Sequence, residues 1–125
     1  MFQYHIDIND EEKLISISAS GEIDASIFKQ VSNEVAKLYN ENGYNVFYDL
    51  FDTNLRLSFE DQISVPRNID ANKGSIVAHQ VHIAGYVNAE DYSDWKFMEY
   101  INAGMGYHAK VFLNKKEALF WLKDS

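Results

Sequence analysis

Phe28, Val31, Val35 and Leu38 recur at steps of three, four and three residues, and the run YNVFYDLF begins only six residues after that stripe ends. A helical stripe followed so soon by a β-branched and aromatic run fits neither an all-helical nor an all-strand protein. Asp24 stands where a helix N-cap belongs and Gly43 where a helix stops, so the stripe is bounded at both ends. The same alternation repeats downstream. QVHIAGYV reads as a strand, and AEDYSDWKFMEYINAG follows as a helix, with Tyr92, Trp95, Met98 and Ile101 at one-turn spacing and Gly104 as its terminal glycine. YHAKVFL reads as a last strand. NKKEALFWLKDS reads as a last helix, capped by Asn114, with Glu117 at the third helical position and Lys123 at the negative end of the dipole.

The N-terminal region differs. FQYHIDI alternates, with Phe2, Tyr4, Ile6 and Ile8 on one face, and KLISISA follows across the polar turn Asn9 to Glu12 with Ile15 and Ile17 in step. Two such runs predict a β-hairpin. The middle carries a weaker signal. SFED at Ser58 to Asp61 approximates a capping box, and Pro66 limits how far a helix runs as one piece, which predicts one or two short irregular helices between Ser58 and Asn72, ended by Gly74. The element order is therefore β-β-α-β-α-β-α-β-α. It predicts a single α/β domain over residues 1–125, with a mostly parallel central sheet, one antiparallel edge strand and covering helices. The last helix closes one face of that sheet. Ala118, Leu119 and Leu122 form its inward stripe, Trp121 extends the stripe at its edge, and Phe120 points outward.

ISISASGEIDASIFKQVSNEVAKL followed by NVFYDL resembles the first half of a STAS domain, the fold of bacterial anti-sigma factor antagonists. The matching residues are Gly21, Glu22, Ile23 and Asp24, then Asp49 and Leu50. The tail AKVFLNKKEALFWL resembles the ending of the SpoIIAA-like (STAS/SEC14-type) branch, through Phe112, Ala118, Leu119, Trp121 and Leu122. The resemblance implies a SpoIIAA-like fold and a non-enzymatic regulatory module with a protein partner. The SEC14 association adds a lipid-like ligand as the alternative. In the antagonists a serine is phosphorylated in an Asp-Ser-Ser-Gly turn after the third strand. Ser58 stands at about that distance, without the preceding Asp, the second Ser or the Gly. Capping a helix is its simpler role, and a phosphate there would be favoured by the helix N-terminus but opposed by Glu60 and Asp61.

Composition narrows the partners. A net charge of −8 disfavours nucleic acid and anionic membranes, which need basic patches. No apolar run approaches the roughly 18 residues of a spanning helix, so membrane insertion is not expected. The chain has no cysteine, which excludes disulfides and thiolate chemistry and is compatible with the cytoplasm.

The two arginines, Arg56 and Arg67, flank the irregular middle helix. Their guanidinium forks suit a carboxylate or phosphate, although ordinary surface pairs with Glu60 or Asp61 would also explain them. Asp49 and Asp52 stand at the end of the third predicted strand, where ligands gather in such folds. They could hold magnesium or act as acid and base. The plainer reading gives Asp52 the turn through FDTN and Asp49 a backbone hydrogen bond. His79 and His82 would point to opposite faces of a strand and so share no metal. No metal motif, cofactor motif or complete catalytic set is present. Phe47, Tyr48, Phe51, Phe59, Tyr92, Trp95, Phe97 and Tyr100 either fill a core or line an apolar pocket. Phe120 or an outer edge strand offers a surface for a homodimer.

Overall fold

The computed structural model describes residues 1–73 and 76–125. Its elements run β1 Gln3–Asn9, β2 Leu14–Ile23, α1 Ala25–Asn42, β3 Asn45–Leu55, α2 Phe59–Lys73, a 3₁₀ turn Val77–His79, β4 His82–Tyr86, α3 Tyr92–Gly104, β5 His108–Phe112 and α4 Lys115–Lys123. The strands lie in the order β1-β2-β3-β4-β5, with β1 antiparallel to β2 and every other pair parallel. This is the predicted order and sheet.

The topology follows from handedness. From β2 to β5 each strand is added on the same side of the last. Right-handed crossovers then put α1, α2 and α3 on one face of the sheet. The other face is left to α4, which packs on β3, β4 and β5. Beyond its reach, β2 shows Ser16, Ser18 and Ser20, and their register partners on β1 are Asp7, His5 and Gln3. This alternation of serine with buried Ile15 and Ile17 is what a sheet with one wet face requires.

Three apolar clusters divide the interior. Ile15, Ile17, Val31, Val35, Tyr39 and Val46 join β2, α1 and β3. Ile23, Leu50, Val87, Trp95 and Met98 lie on the same face near the C-terminal strand ends. Phe47, Ala84, Ala118 and Leu122 form the opposite cluster under α4. The caps of α1 and α4 form as predicted. Asp24 Oδ1 accepts from Ile27 N at 2.9 Å, Gly43 takes φ 72°, and Asn114 Oδ1 accepts from Glu117 N at 3.1 Å.

Several local expectations are corrected. The middle helix is continuous from Phe59 to Lys73, with Pro66 inside it. It rests chiefly on α1 and α3. The expected stop at Gly74 lies outside the described residues. β3 runs on through Asp52 to Leu55, so FDTN is strand rather than turn. A bulge explains the extra length, since β3 spends one more residue than β2 between the pairs Ser18–Asp49 and Ser20–Asp52. His79 belongs to a 3₁₀ turn, where its Nδ1 donates to Gly106 O at 3.1 Å. The left-handed residue after α3 is Gly106 at φ 85°, not Gly104. Leu119 is exposed, so the inward stripe of α4 is Ala118 and Leu122, with Trp121 partly buried beside them. Phe120 points outward as expected, 70% exposed.

Trp121 lies against Phe112 and meets the His82 ring edge-on at 5.2 Å. Because the ring is only partly covered, Trp121→Ala is expected to cost about 2 kcal/mol rather than a full core penalty. Urea unfolding of the variant checks this. His82 also stacks on His108 at 4.8 Å. Burial, and then the neighbouring charge of His108, hold the His82 pKa below its ordinary value. The fold therefore prefers the neutral ring, and the unfolded chain takes up the proton first as pH falls. The stability His82 contributes is complete above its ordinary value of 6.5 and drains away below it. Melting temperature is expected to decline on acidification from that point. His82→Gln should flatten the upper part of the decline, and an unchanged profile would refute the coupling.

Candidate functional site

The C-terminal ends of the strands gather most of the unusual chemistry. β3 projects past β4, whose register with it covers only Val46 to Asp49. The projecting backbone needs other partners, and Asn88 supplies them. Its Nδ2 donates to Phe51 O at 3.0 Å and to Thr53 O at 2.9 Å, while its Oδ1 accepts from Asp91 N at 2.9 Å. Asp91 Oδ2 in turn accepts from Leu55 N at 3.0 Å. Inside the bulge, Thr53 Oγ1 donates to Leu50 O at 2.6 Å, and Phe51 N donates to Asp49 Oδ1 at 3.4 Å. This polar latch fixes where β3 delivers the segment leading into α2.

Ser58 is the N-cap of α2. Its Oγ accepts from Asp61 N at 3.1 Å, and its carbonyl accepts from Gln62 N at 3.0 Å. The next residue, Phe59, is 66% exposed and stacks on Phe97 of α3, with centroids 5.2 Å apart. Tyr100 lies one helical turn beyond Phe97 and is 75% exposed. The exposed Phe59 thus stacks on the partly buried Phe97 across α2 and α3, beside Ser58, and the exposed Tyr100 follows one turn further along α3. Large exposed rings grouped on one side of a domain mark a candidate interaction surface. A second stacked pair, the exposed Phe51 on the partly buried Tyr86 at 5.2 Å, lies on the α4 side of the sheet.

The structure places the remaining sequence-derived residues apart. Arg56 Nε lies 3.4 Å from Glu22 Oε1, with both side chains largely exposed. Arg67 is exposed on α2. Asp49 Oδ2 lies 3.8 Å from Lys115 Nζ. Asp52 is an exposed residue of β3 opposite Ser20. Among the described residues, no hydrogen bond or ion pair joins the two arginines to each other or to either aspartate. Among the described residues there is also no group of three or more His, Asp or Glu arranged to hold a metal ion. No helix among them is long and apolar enough to cross a membrane.

Below α2 lies an apolar cavity of about 150 Å³ between the sheet and the helices. Its sheet wall carries the small residues Ala19 and Gly85 around Tyr48, and its helical wall includes Trp95, Met98 and Pro66. Of the aromatics singled out in the sequence, Tyr48 and Trp95 line this space. Phe47 packs on the other face of the sheet, and Phe51, Phe59 and Tyr100 are exposed. Tyr39 also lines the cavity and is 2% exposed, and among the described residues its hydroxyl has no hydrogen-bond partner. Burial pushes the Tyr39 pKa up to about 12. Burial, and then the nearby Tyr39 phenol, raise that of Tyr48 as well. Sequence reasoning passed over Tyr39 because it followed the stripe through Leu38. The spacing Val31, Val35, Tyr39 carries the signal. Asn88 was missed too, although an Asn just after a strand can accept from a nearby backbone N–H and shape a turn, as it does here from Asp91 N.

These features define a five-stranded α/β domain of SpoIIAA-like fold. No protein-family model matches the chain, and no curated protein matches it. Solved structures do. An anti-sigma factor antagonist from Mycobacterium paratuberculosis superposes with a TM-score of 0.64 at 14% identity, covering 99% of this chain and 96% of that one. An uncharacterized protein of the DUF3478 family with a SpoIIAA-like fold, from Shewanella loihica PV-4, gives 0.57 at 16% identity, covering 97% and 93%. The unphosphorylated form of the anti-sigma factor antagonist SpoIIAA gives 0.57 at 6% identity, covering 98% and 100%. At such identities the likeness is one of fold.

Proposed function

We propose that the chain is a non-enzymatic regulatory module that acts in the cytoplasm by docking a protein partner. The observation that carries this reading is the exposed Phe59 ring stacked on the partly buried Phe97, with the exposed Tyr100 one turn further along α3, beside the Ser58 cap. The fold shared with two anti-sigma factor antagonists supports it. Aromatic residues supply much binding energy at protein interfaces. Glu60 and Asp61 border the patch in the first turn of α2, so the partner surface combines an apolar pocket with a basic rim. In this reading Ser58 is the regulated position. A phosphate would add about −1.5 to −2 charge at the edge of the docking face.

The test is affinity capture from cells of the source organism with wild type and Phe59→Ser. A partner held by wild type should bind the variant at least about tenfold more weakly, with melting temperature unchanged because Phe59 is already exposed. A partner retained equally by both would remove this surface from the function. Peptide mapping by fragmentation mass spectrometry of the protein isolated from cells checks Ser58 directly, and a phosphate found elsewhere would remove its regulatory role.

A further inference from the structure

We infer that the cavity under α2 is a binding site for a small single-ring aromatic molecule carrying one polar substituent, with Tyr39 Oη as its hydrogen-bond partner. Three observations converge on this class. The first is size. An apolar cavity of about 150 Å³ engineered in another protein takes up benzene, so the space here accommodates one ring.

The second observation is the lining. Trp95, Tyr48 and Met98 offer ring faces, ring edges and a polarizable sulfur, all of which favour aromatic guests. The floor is kept low by Ala19 and by Gly85. A Cβ built on Gly85 would meet only Val111 Cγ1 at 3.6 Å and Val87 Cγ1 at 3.9 Å. Gly85 also lacks the positive φ that would demand glycine. Its missing side chain therefore serves the space above it and not the backbone.

The third observation is the orphaned phenol. Tyr39 is buried at the cavity wall, and its hydroxyl is unpartnered among the described residues. Buried hydroxyls are nearly always hydrogen-bonded, so this one points to a guest with a polar atom. A guest with a hydroxyl or an amino substituent satisfies it while its ring fills the apolar remainder.

The experiment titrates p-cresol, phenol and toluene into isotope-labelled full-length protein and follows backbone amides by NMR. p-Cresol and phenol are expected to shift Ile17, Tyr48, Gly85 and Trp95 together, and to raise the melting temperature. Tyr39→Phe should weaken p-cresol about tenfold and leave toluene unchanged, since only the hydrogen bond is removed. Gly85→Leu should exclude all three probes. No shift at the cavity residues by any probe up to its solubility would overturn the site. Equal p-cresol affinity in wild type and Tyr39→Phe would overturn the polar anchor. The Tyr39→Phe comparison stands even if Gly85→Leu fails to fold, because that variant adds no atom to the core.

Discussion

Gly21→Ala is expected to destabilise the fold by about 3–5 kcal/mol. Two costs combine. Gly21 holds φ 98°, which L side chains rarely adopt. A Cβ there would also lie 2.4 Å from Met1 O and 2.8 Å from Phe2 Cα, and both are backbone atoms that cannot swing aside. The glycine thus lets the N-terminus cross β2 closely enough for Phe2 to reach two of the apolar clusters. Gly43 is the control. It also has positive φ, at 72°, but nothing lies within 4 Å of its Cβ position. Gly43→Ala should cost only about 1–2 kcal/mol. Urea unfolding of both variants checks the account, and equal losses would show that the close approach to Met1 and Phe2 contributes nothing.

Asn88→Ala is expected to cost about 3 kcal/mol. It removes three hydrogen bonds at roughly 1 kcal/mol each and leaves the carbonyls of Phe51 and Thr53 without that donor. The loss should be local in character. Hydrogen exchange at Thr53 and Leu55 should quicken more than at Ile15 or Val46 in the central strands, because only the projecting end of β3 depends on the latch. Uniform acceleration across the sheet would mean that Asn88 supports the domain as a whole.

The alternation of strand and helix was legible because period and composition are local signals. The α1 stripe, its Asp24 and Gly43 caps and the Asn114 cap all depend on neighbours a few residues away. The length of β3 was not legible. Its extension rests on Asn88 and Asp91, more than thirty residues later in the chain, and Asp52-Thr53-Asn54 reads locally as a turn. The continuity of α2 through Pro66 was hidden for a similar reason. Packing on α1 and α3 offsets the hydrogen bond that proline removes, and no local pattern announces that packing. The candidate site divides the same way. Ser58 showed its capping role in the motif SFED. The pairing of Phe59 with Phe97 and the orphaned Tyr39 hydroxyl exist only once helices from distant segments meet.

The sheet also separates two natural fluorophores. Trp95 stacks on Phe28 at 5.7 Å on the three-helix side, and Trp121 lies against Phe112 and His82 on the side of α4. Replacing either one with Phe leaves a single tryptophan that reports on one layer alone. Trp95 emission would follow events in the cavity, and Trp121 emission would follow the protonation of His82. The domain thus carries two independent optical channels, and a quenching titration can tell which side of the sheet an added molecule has reached.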